Sequence, residues 1–326
     1  MHLPSTQAPC VHLDPSEHQA LEDRYACLAF DAMGCRFEFL IDIEGTRLNR
    51  CETQAIAEEM RDIVLDWHHR LSIFDQTSDT SQINRTSANI PIVLDDDMYS
   101  LIALCDQLRI KTGGAFNIAA GTLMHAHGFR DPNSKPTPLL HGIDLENAFT
   151  LDHDLRSITK SNDLISLDFG AIAKGFVLDL IRKELQELGV QNAFIHGGTS
   201  SILAMGVNQK ARPWKMNAGD AYPISLGNLS AGVSENNSQS VSHNAQLIGH
   251  VMDPRTNAPS NSTISRAVCI HPSAAAADAY STALSVYPSL ADQLTNEPCT
   301  LIAFDSSIPP RIHDPLGVVQ IKRPIK

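Results

Sequence analysis

The segment 167–175, which reads LDFGAIAKG, contains the residues most suggestive of chemistry. A short apolar strand is predicted to lead through Gly170 into a helix, whose first turn has unpaired N–H groups and positive partial charge. Lys174 adds a full positive charge, and these features together suit a phosphate. The spacing is not that of a P-loop, and a tight turn with a solvated lysine explains the residues equally well.

Asp278 and Thr282 form a second candidate pair, because they lie four residues apart in an alanine-rich segment with helical character. Residues four apart share one face of a helix, so this carboxylate and hydroxyl could together bind a hard cation such as Mg²⁺. A threonine hydroxyl bonded to its own helix beside a surface aspartate is the commoner arrangement. The spacing alone favours that structural interpretation.

Histidines supply two further candidates. His250 stands at the end of a predicted strand, just before an Asp-Pro turn, and could be a general base. One histidine among 14 is more often a surface or hydrogen-bonded residue. His125 and His127 have a spacing that metals use on strands, but no acidic or cysteine motif accompanies them, so a metal role is disfavoured. Nucleophile-elbow, dinucleotide-binding and Walker patterns are absent.

Hydrophobic periodicity predicts the elements that must position these residues. Residues 37–43 alternate as a half-buried strand, and residues 52–71 have the apolar spacing of an amphipathic helix. The other predicted strands span 164–169, 190–195, 247–252, 267–270 and 301–304, and the other predicted helices span 95–111, 176–188 and 274–287. Residues 113–159 and 217–244 are predicted to be mainly loop. This mixture indicates an α+β fold rather than a regular doubly wound sheet.

Composition excludes several classes of function. The 326-residue chain has a formal net charge of -12, which disfavours nucleic acid as a partner. No apolar run reaches the ~18 residues of a membrane span. Seven scattered cysteines without a C-x-x-C pair indicate a reducing compartment rather than a disulfide framework. The first residues contain neither a signal-peptide core nor a lipobox, so a cytoplasmic protein is expected unless a leader is missing.

Taken together and in order, these segments resemble the ApbE family, the flavin transferases that move FMN from FAD onto proteins. The resemblance covers nearly the whole chain beyond about residue 30. It rests on seven collinear segments: 32–34, 71–74 with 81–84, 112–117, 168–179, 197–198, 250–256 and 278–282. Each segment alone is a weak signal, whereas their common order is specific.

The resemblance implies an ApbE-like α+β fold, with mixed or antiparallel sheets, packed helices and two intimately joined lobes that hold FAD between them. We expect a polar N-terminal arm over 1–29 and a single flavin transferase domain over 30–326. The residues implied to contact FAD are Met33, Phe74, Ala115, Phe116, Asn117, Asp168, Lys174, Gly198 and Thr199. The groups implied to hold Mg²⁺ are the carbonyl of Ala171 and the side chains of Asp278 and Thr282.

The same resemblance implies a Mg²⁺-dependent transfer of the FMN phosphoryl group to a Ser or Thr hydroxyl of an acceptor protein, with release of AMP. A hydroxyl is a poor nucleophile at neutral pH, so a base must take its proton, and His250 is the candidate. Mg²⁺ would neutralise charge on the diphosphate and on the leaving phosphate. Asp253 could orient His250 or lie near the metal, and the sequence does not choose between these roles.

Two departures from the family pattern each remove a carboxylate. Asn117 replaces the usual aspartate after Ala-Phe, and Thr199 replaces the usual aspartate after Gly-Gly. Asparagine can still accept a hydrogen bond and also donates one. We therefore expect an FAD:protein FMN transferase, with Mg²⁺-dependent hydrolysis of FAD to FMN and AMP as the first alternative. A non-catalytic FAD-binding protein is the second alternative, motivated by the two lost carboxylates.

Overall fold

The structure is a computed structural model that describes residues 23–320 apart from 45, 47, 128, 130–142, 220–221, 237–239, 244–245, 250 and 306–307. Its helices are α1 (Arg50–Arg70), α2 (Asp79–Arg85), α3 (Asp96–Lys111), α4 (Gly121–Ala126), α5 (Ala173–Glu187) and α6 (Ala274–Val286). The first strands are β1 (Tyr25–Ala32), β2 (Cys35–Asp42), β3 (Ile92–Val93), β4 (Phe149–Asp152), β5 (Ser157–Lys160), β6 (Ala193–Gly197), β7 (Ser201–Met205) and β8 (Trp214–Asn217). The later strands are β9 (Pro223–Leu226), β10 (Ser230–Glu235), β11 (Ser240–His243), β12 (Gln246–Gly249), β13 (Met252–Asp253), β14 (Ala258–Pro259), β15 (Ile264–His271), β16 (Thr300–Asp305) and β17 (Ile308–His313).

Eight strands form a central sheet in the order β1-β2-β6-β7-β10-β15-β16-β17. Every neighbouring pair in this sheet is antiparallel. A smaller sheet has the strand order β3-β5-β4. The α+β prediction is therefore confirmed, with antiparallel pairing throughout the central sheet.

The two faces of the central sheet bury separate apolar clusters, as the period-two alternation of strand side chains requires. The inner face, which we define as the face that carries Phe37, Phe39 and Ile195, packs against α1, α5 and α6. The outer face carries Tyr25 and Ile202 and is covered partly by the β8–β9 hairpin. The candidate site residues on α5 and α6 therefore belong to the inner side of the sheet.

Helix α6 packs against its neighbours at backbone-to-backbone distance. A Cβ atom placed on Gly175 of α5 would lie 2.2 Å from the Ala274 carbonyl oxygen. A Cβ atom placed on Gly232 of β10 would lie 2.2 Å from the Ala277 carbonyl oxygen. The alanines of α6 and these two glycines therefore serve the same purpose, which is close packing. Larger residues on either side would separate α6 from α5 and from the sheet.

Helix α5 also caps the start of α6. The Asp179 carboxylate accepts hydrogen bonds from the N–H groups of Ala274 and Ala275, at 2.8 and 3.0 Å. The Ser273 hydroxyl donates to the same carboxylate at 2.6 Å and accepts from Ala276 N–H at 3.1 Å. These bonds satisfy orphan N–H groups of the first turn and fix the position of α6 along α5.

The predicted strand over 164–169 is wrong, because this segment is extended but pairs with no strand. Its backbone groups bond elsewhere: Leu167 N–H donates to the Asn84 side-chain oxygen at 2.7 Å, and Asp168 N–H donates to the Ile118 carbonyl at 2.8 Å. Apolar periodicity cannot distinguish this arrangement from a strand, since both bury alternate residues.

The predicted loop over 217–244 is also wrong, since it contains β9, β10 and β11. The N-terminal boundary changes too, because β1 begins at Tyr25, inside the segment 1–29 that was expected to be a polar arm. Tyr25 and Ala26 are both buried, so these residues belong to the folded domain.

The structure also describes the state of the cysteines and the character of the helices. The six cysteines within the described residues are all free. Within the same residues, no helix has both the length and the apolar character needed to cross a membrane.

Replacing Gly232 with alanine tests the close approach of α6 to the sheet. We expect Gly232→Ala to lower the free energy of unfolding by about 3 kcal/mol, because the new methyl group meets backbone that cannot rotate away. Gly227→Ala is the matched control, since a Cβ there has no atom within 4 Å. Urea denaturation of both variants measures the difference, and equal stability of the two would contradict the packing described above.

Candidate active site

The first turn of α5 carries Lys174. The chain enters this helix through a turn in which the N–H groups of Ile172 and Ala173 donate to the Phe169 carbonyl at 2.9 and 2.8 Å. The Asp168 carboxylate accepts from Gly170 N–H at 2.8 Å within the same turn. The predicted start of a helix after Gly170 is therefore confirmed, with Lys174 as the second helical residue, although the segment before Gly170 is not the predicted strand.

Asp278 of α6 meets the same helix terminus. One of its carboxylate oxygens accepts from Gly175 N–H at 2.7 Å. The Ser201 hydroxyl of β7 donates to the carboxylate, at 2.9 and 2.8 Å from its two oxygens. The structure therefore brings together the candidate segments 168–179 and 278–282, and it adds Ser201, which follows the Gly197–Gly198 pair in the chain.

Asp278 is a buried carboxylate with a raised pKa. Burial raises its pKa to about 7, although the positive charge of Lys174 and the bonds from Ser201 and Gly175 oppose this effect. The Lys174 ammonium makes no ion pair or hydrogen bond with any described residue. A half-buried cation and a partly compensated buried anion thus lie close together without forming a direct ion pair.

Ser201 was not identified from the sequence. It pairs with Gly197 across the short turn that follows β6, so it shares the inner face with the glycine. Its hydroxyl reaches Asp278 only because β7 lies under α6 in the folded chain. The nearest sequence signal was the run of hydroxyl residues 199–201 after Gly-Gly, which has no specific chemical meaning by itself.

The donor atoms around Asp278 fit a hard cation. Gly175 N–H donates to Asp278, and no described group donates to the carbonyl of Ala171 or to the hydroxyl of Thr282. The described residues contain no cluster of three His, Cys, Asp or Glu side chains. A Mg²⁺ ion here would rely on one carboxylate, neutral oxygens and phosphate oxygens of a ligand, which is a common way of holding it.

Two turns lie beside Lys174. Gly198 has a φ of +60°, and a Cβ there would lie 3.2 Å from Cβ of Cys35, so the turn after β6 contacts the start of β2. A Cβ on Gly197 would lie 3.3 Å from Cδ of Lys174. Met33, in the turn between β1 and β2, has a φ of +50° and donates its N–H to Nδ1 of His68 at 3.0 Å. The predicted ligand residues Met33, Gly198 and Lys174 therefore belong to one neighbourhood.

Asn84 positions the chain next to Asp168. Its side-chain amide donates to the Leu167 carbonyl at 2.9 Å, and its oxygen accepts from Leu167 N–H at 2.7 Å. The buried Lys160 ammonium donates to the Asn84 carbonyl at 2.7 Å, and burial lowers the pKa of this lysine. The 81–84 segment of the family pattern thus has a structural role here, which is to hold the segment that leads to α5.

A cleft of about 480 Å³ joins two of the other predicted segments. Its walls include Gly113, Gly114 and Asn117 on one side and Pro254 and Arg255 on the other. The cleft is therefore a candidate for part of the ligand site.

Asn117 is bonded at both ends within the wall of this cleft. Its amide group donates to the Leu145 carbonyl at 2.7 Å, and its oxygen accepts from Ala119 N–H at 2.8 Å. Asn117 thereby ties the segment before β4 to the turn that precedes α4. A ligand contact by the Asn117 side chain would have to share these bonds.

Asp253 is paired with Arg255. The guanidinium donates to both carboxylate oxygens, at 2.9 and 2.8 Å, and lies over the Tyr287 ring at 4.6 Å from the centroid. The carboxylate raises the pKa of Arg255 through this hydrogen bond. Asp253 thus holds a cation at the rim of the cleft, a role that neither sequence hypothesis included.

The remaining predicted FAD residues differ in exposure. Ala115 and Phe116 are buried in the core, and the N–H group of each donates to Thr112. Phe74 has 73% of its surface exposed and can meet a ligand directly. Thr199 is also exposed.

His250, the predicted general base, lies outside the described residues. His125 and His127 lie at the end of α4 rather than on a strand, so the strand spacing used to consider them as metal ligands was wrong. Residues two apart on a helix point in different directions. His127 directs Nδ1 at the Leu123 carbonyl at 2.9 Å, which is a local helix-end bond.

Similarity to known proteins agrees with this arrangement. The sequence model of the ApbE family matches residues 33–300. An FAD:protein FMN transferase from Haemophilus influenzae is 28% identical over 252 residues, which cover 70% of this chain and 71% of the relative. An FAD:protein FMN transferase from Vibrio cholerae is 23% identical over 258 residues, which cover 75% of each chain.

Solved structures share the fold. The ApbE protein from Thermotoga maritima has a TM-score of 0.79 at 22% identity and covers 89% of this chain and 97% of its own. The flavin transferase ApbE from Vibrio cholerae has a TM-score of 0.75 at 19% identity and covers 88% of this chain and 96% of its own. Together with a family match that extends from Met33 past Thr282 and so includes every predicted site residue, these likenesses show that the chain belongs to the ApbE family.

Proposed function

We propose that this chain transfers FMN from FAD to a Ser or Thr hydroxyl of an acceptor protein and releases AMP. The relatives named FAD:protein FMN transferase support this reaction class. The observation that carries the proposal is the contact of Asp278, on α6, with the N–H of Gly175 in the first turn of α5, next to Lys174. This combination offers both positive charge and hard oxygen donors to a diphosphate and its cation.

Lys174 and the N-terminus of α5 are the proposed anchor for the diphosphate of FAD. Lysine provides a mobile point charge, and the first turn of a helix adds positive partial charge. Lys174 has no ion-pair partner among the described residues, so binding an anion would not require an existing pair to break.

Asp278, Thr282 and the Ala171 carbonyl are the proposed ligands of Mg²⁺. When bound, this ion would neutralise charge on the diphosphate and on the departing phosphate. Ser201 and Gly175 N–H orient the Asp278 carboxylate through three contacts between 2.7 and 2.9 Å. Ser201 and Gly175 N–H therefore hold the metal-binding carboxylate of Asp278 in one orientation.

The proposed reaction is a displacement at the phosphorus of the FMN half of FAD. The acceptor hydroxyl oxygen forms a bond to this phosphorus, and the bond from the phosphorus to the bridging oxygen breaks. AMP leaves with the bridging oxygen, and the hydroxyl proton passes to His250. Transfer needs the hydroxyl to be deprotonated as it attacks, so His250 is assigned as the base and Lys174 as a binding residue.

A transfer assay tests the proposed function directly. The chain is incubated with FAD, Mg²⁺ and a protein that carries the Asp-Gly-x-Ser-Gly-Ala-Thr acceptor pattern of the family. We expect covalent flavin fluorescence on the acceptor and one AMP for each flavin attached. The His250→Ala variant should bind FAD but lose transfer, because it lacks the base. Release of AMP without covalent flavin would instead indicate hydrolysis, and FAD binding without either product would indicate a non-catalytic protein.

A pair of lysine variants on one helix tests the anion site. We expect Lys174→Met to weaken FAD binding by roughly 10- to 100-fold, because a hydrogen bond to a charged group contributes about 1.5–3 kcal/mol. Lys183→Met is the control, since this lysine is 70% exposed on the same helix. Fluorescence titration with FAD measures both affinities, and similar affinities for the two variants would argue against Lys174 as the anchor.

The raised pKa of Asp278 predicts a pH dependence of stability in the metal-free chain. Between the ordinary value of 3.8 and about 7, the folded chain retains a proton that the unfolded chain has released. The free energy of unfolding therefore falls as pH rises through this window. Asp278→Asn removes the ionisation and can still accept the bond from Gly175 N–H. We expect the melting temperature of this variant to rise relative to wild type from about pH 4 to about pH 7 in EDTA.

Added Mg²⁺ provides the complementary measurement. Above pH 7 it should raise the melting temperature of the wild type more than that of Asp278→Asn, since a cation stabilises the charged carboxylate. A melting-temperature difference that is independent of both pH and Mg²⁺ would contradict the assigned environment of Asp278.

A further inference from the structure

Both polar backbone groups of Gly198, its N–H and its carbonyl, make hydrogen bonds within the protein. Gly198 N–H donates to the Arg36 carbonyl at 2.7 Å. The Gly198 carbonyl oxygen lies 2.8 Å from Nδ1 of His196. Because a carbonyl can only accept, Nδ1 must carry the proton and donate it. The conformation of this turn therefore depends on a side chain, in addition to the left-handed φ of Gly198.

His196 is itself fixed by a buried carboxylate. Glu38 of β2 lies directly opposite His196 of β6 in the sheet register. Nε2 of His196 is 3.3 Å from one Glu38 carboxylate oxygen, and Nε of Arg36 donates to the other oxygen at 3.1 Å. Glu38 is only 6% exposed, so water competes weakly for these contacts. The imidazole ring thus lies between two acceptors, with the Gly198 carbonyl facing Nδ1 and the Glu38 carboxylate facing Nε2.

The contact between His196 and the Gly198 carbonyl also determines the direction of the Thr199 N–H, which belongs to the same peptide group. The C=O and N–H of one trans peptide point in opposite directions. The His196 ring meets the Phe194 ring edge to face on the outer side of the sheet, with the centroids 6.2 Å apart, so the Gly198 carbonyl is directed toward that side. The N–H of Thr199 then points toward the inner face, where the stem of Lys174 packs against Gly197. No described residue accepts a hydrogen bond from this N–H.

We propose that His196 and Glu38 are positioning residues that aim the Thr199 amide at the anion bound by Lys174. In this arrangement Thr199 N–H donates to an oxygen of the FAD diphosphate, and the uncharged Thr199 side chain adds no repulsion. His196 does not touch the ligand, and it acts only by fixing the orientation of the peptide. This inference rests on the proposed function, because it assumes that the diphosphate binds beside Lys174.

Binding measurements with a set of His196 variants test the inference. We expect His196→Ala to weaken FAD binding by about tenfold, the contribution of one charge-assisted hydrogen bond. Affinity for riboflavin, which has no phosphate, should not change. His196→Asn should recover most of the FAD affinity, because its side-chain amide can donate to the Gly198 carbonyl. His153→Ala is the control, since His153 is an exposed residue between β4 and β5.

The outcomes separate this inference from the proposed function. Wild-type FAD affinity in His196→Ala, an equal loss of riboflavin affinity, or failure of His196→Asn to recover FAD binding would each overturn the positioning role. A wild-type chain that does not bind FAD would instead contradict the proposed function.

A measurement on the unmodified sequence avoids any effect of the variants on folding. The chain is labelled with ¹⁵N-threonine, and the Thr199 amide signal is assigned from its loss in Thr199→Ser. Formation of a hydrogen bond to a phosphate oxygen should move this amide proton downfield when FAD is added, whereas riboflavin should leave it in place. A Thr199 signal that does not move with saturating FAD would overturn the proposal.

Discussion

The backbone contacts of α6 with Gly175 and Gly232 are the constraint on which the site depends. They let α6 approach both α5 and β10 so closely that Asp278 reaches the N–H of Gly175 and the hydroxyl of Ser201. A helix displaced by one additional methyl group would break these bonds, since each requires a donor–acceptor distance near 3 Å. The Asp179 cap fixes the remaining freedom of α6 along α5. The residues that determine the packing of α6 thus also position the Asp278 carboxylate.

The net charge of -12 describes the surface and not the site. Lys174 and the first turn of α5 provide local positive potential on the inner side of the sheet, to which the proposed orientation of the Thr199 amide would add. Asp278 is the negative charge among them, and its raised pKa shows that the protein leaves this charge only partly compensated. An anion and a divalent cation bound together would neutralise such a site better than either alone, since each would reduce the other's cost of burial.

The sequence was sufficient for the long helices and for several strands of the central sheet, but not for β10, which contacts α6. The periodicities over 52–71, 95–111, 176–188 and 274–287 correspond to α1, α3, α5 and α6. Strand β10 was assigned to a loop because its residues are small, whereas their size is what the close approach of α6 requires. The pairing of Asp278 with Ser201 depends on that approach and spans residues far apart in the chain, so no local pattern could predict it. The motif residues could be identified from the sequence because they form short continuous runs.

The two departures from the family pattern have a physical reading that favours ligand binding. At position 117 a carboxylate could not donate to the Leu145 carbonyl, so the tie to the segment before β4 would be lost. Asn117 therefore has a structural role in the wall of the cleft. Thr199 is exposed and lies in the turn that follows Gly197, whose neighbour is the stem of Lys174. The absence of a carboxylate at this position leaves the charge of Lys174 without a competing anion there, which favours the proposed binding of a diphosphate.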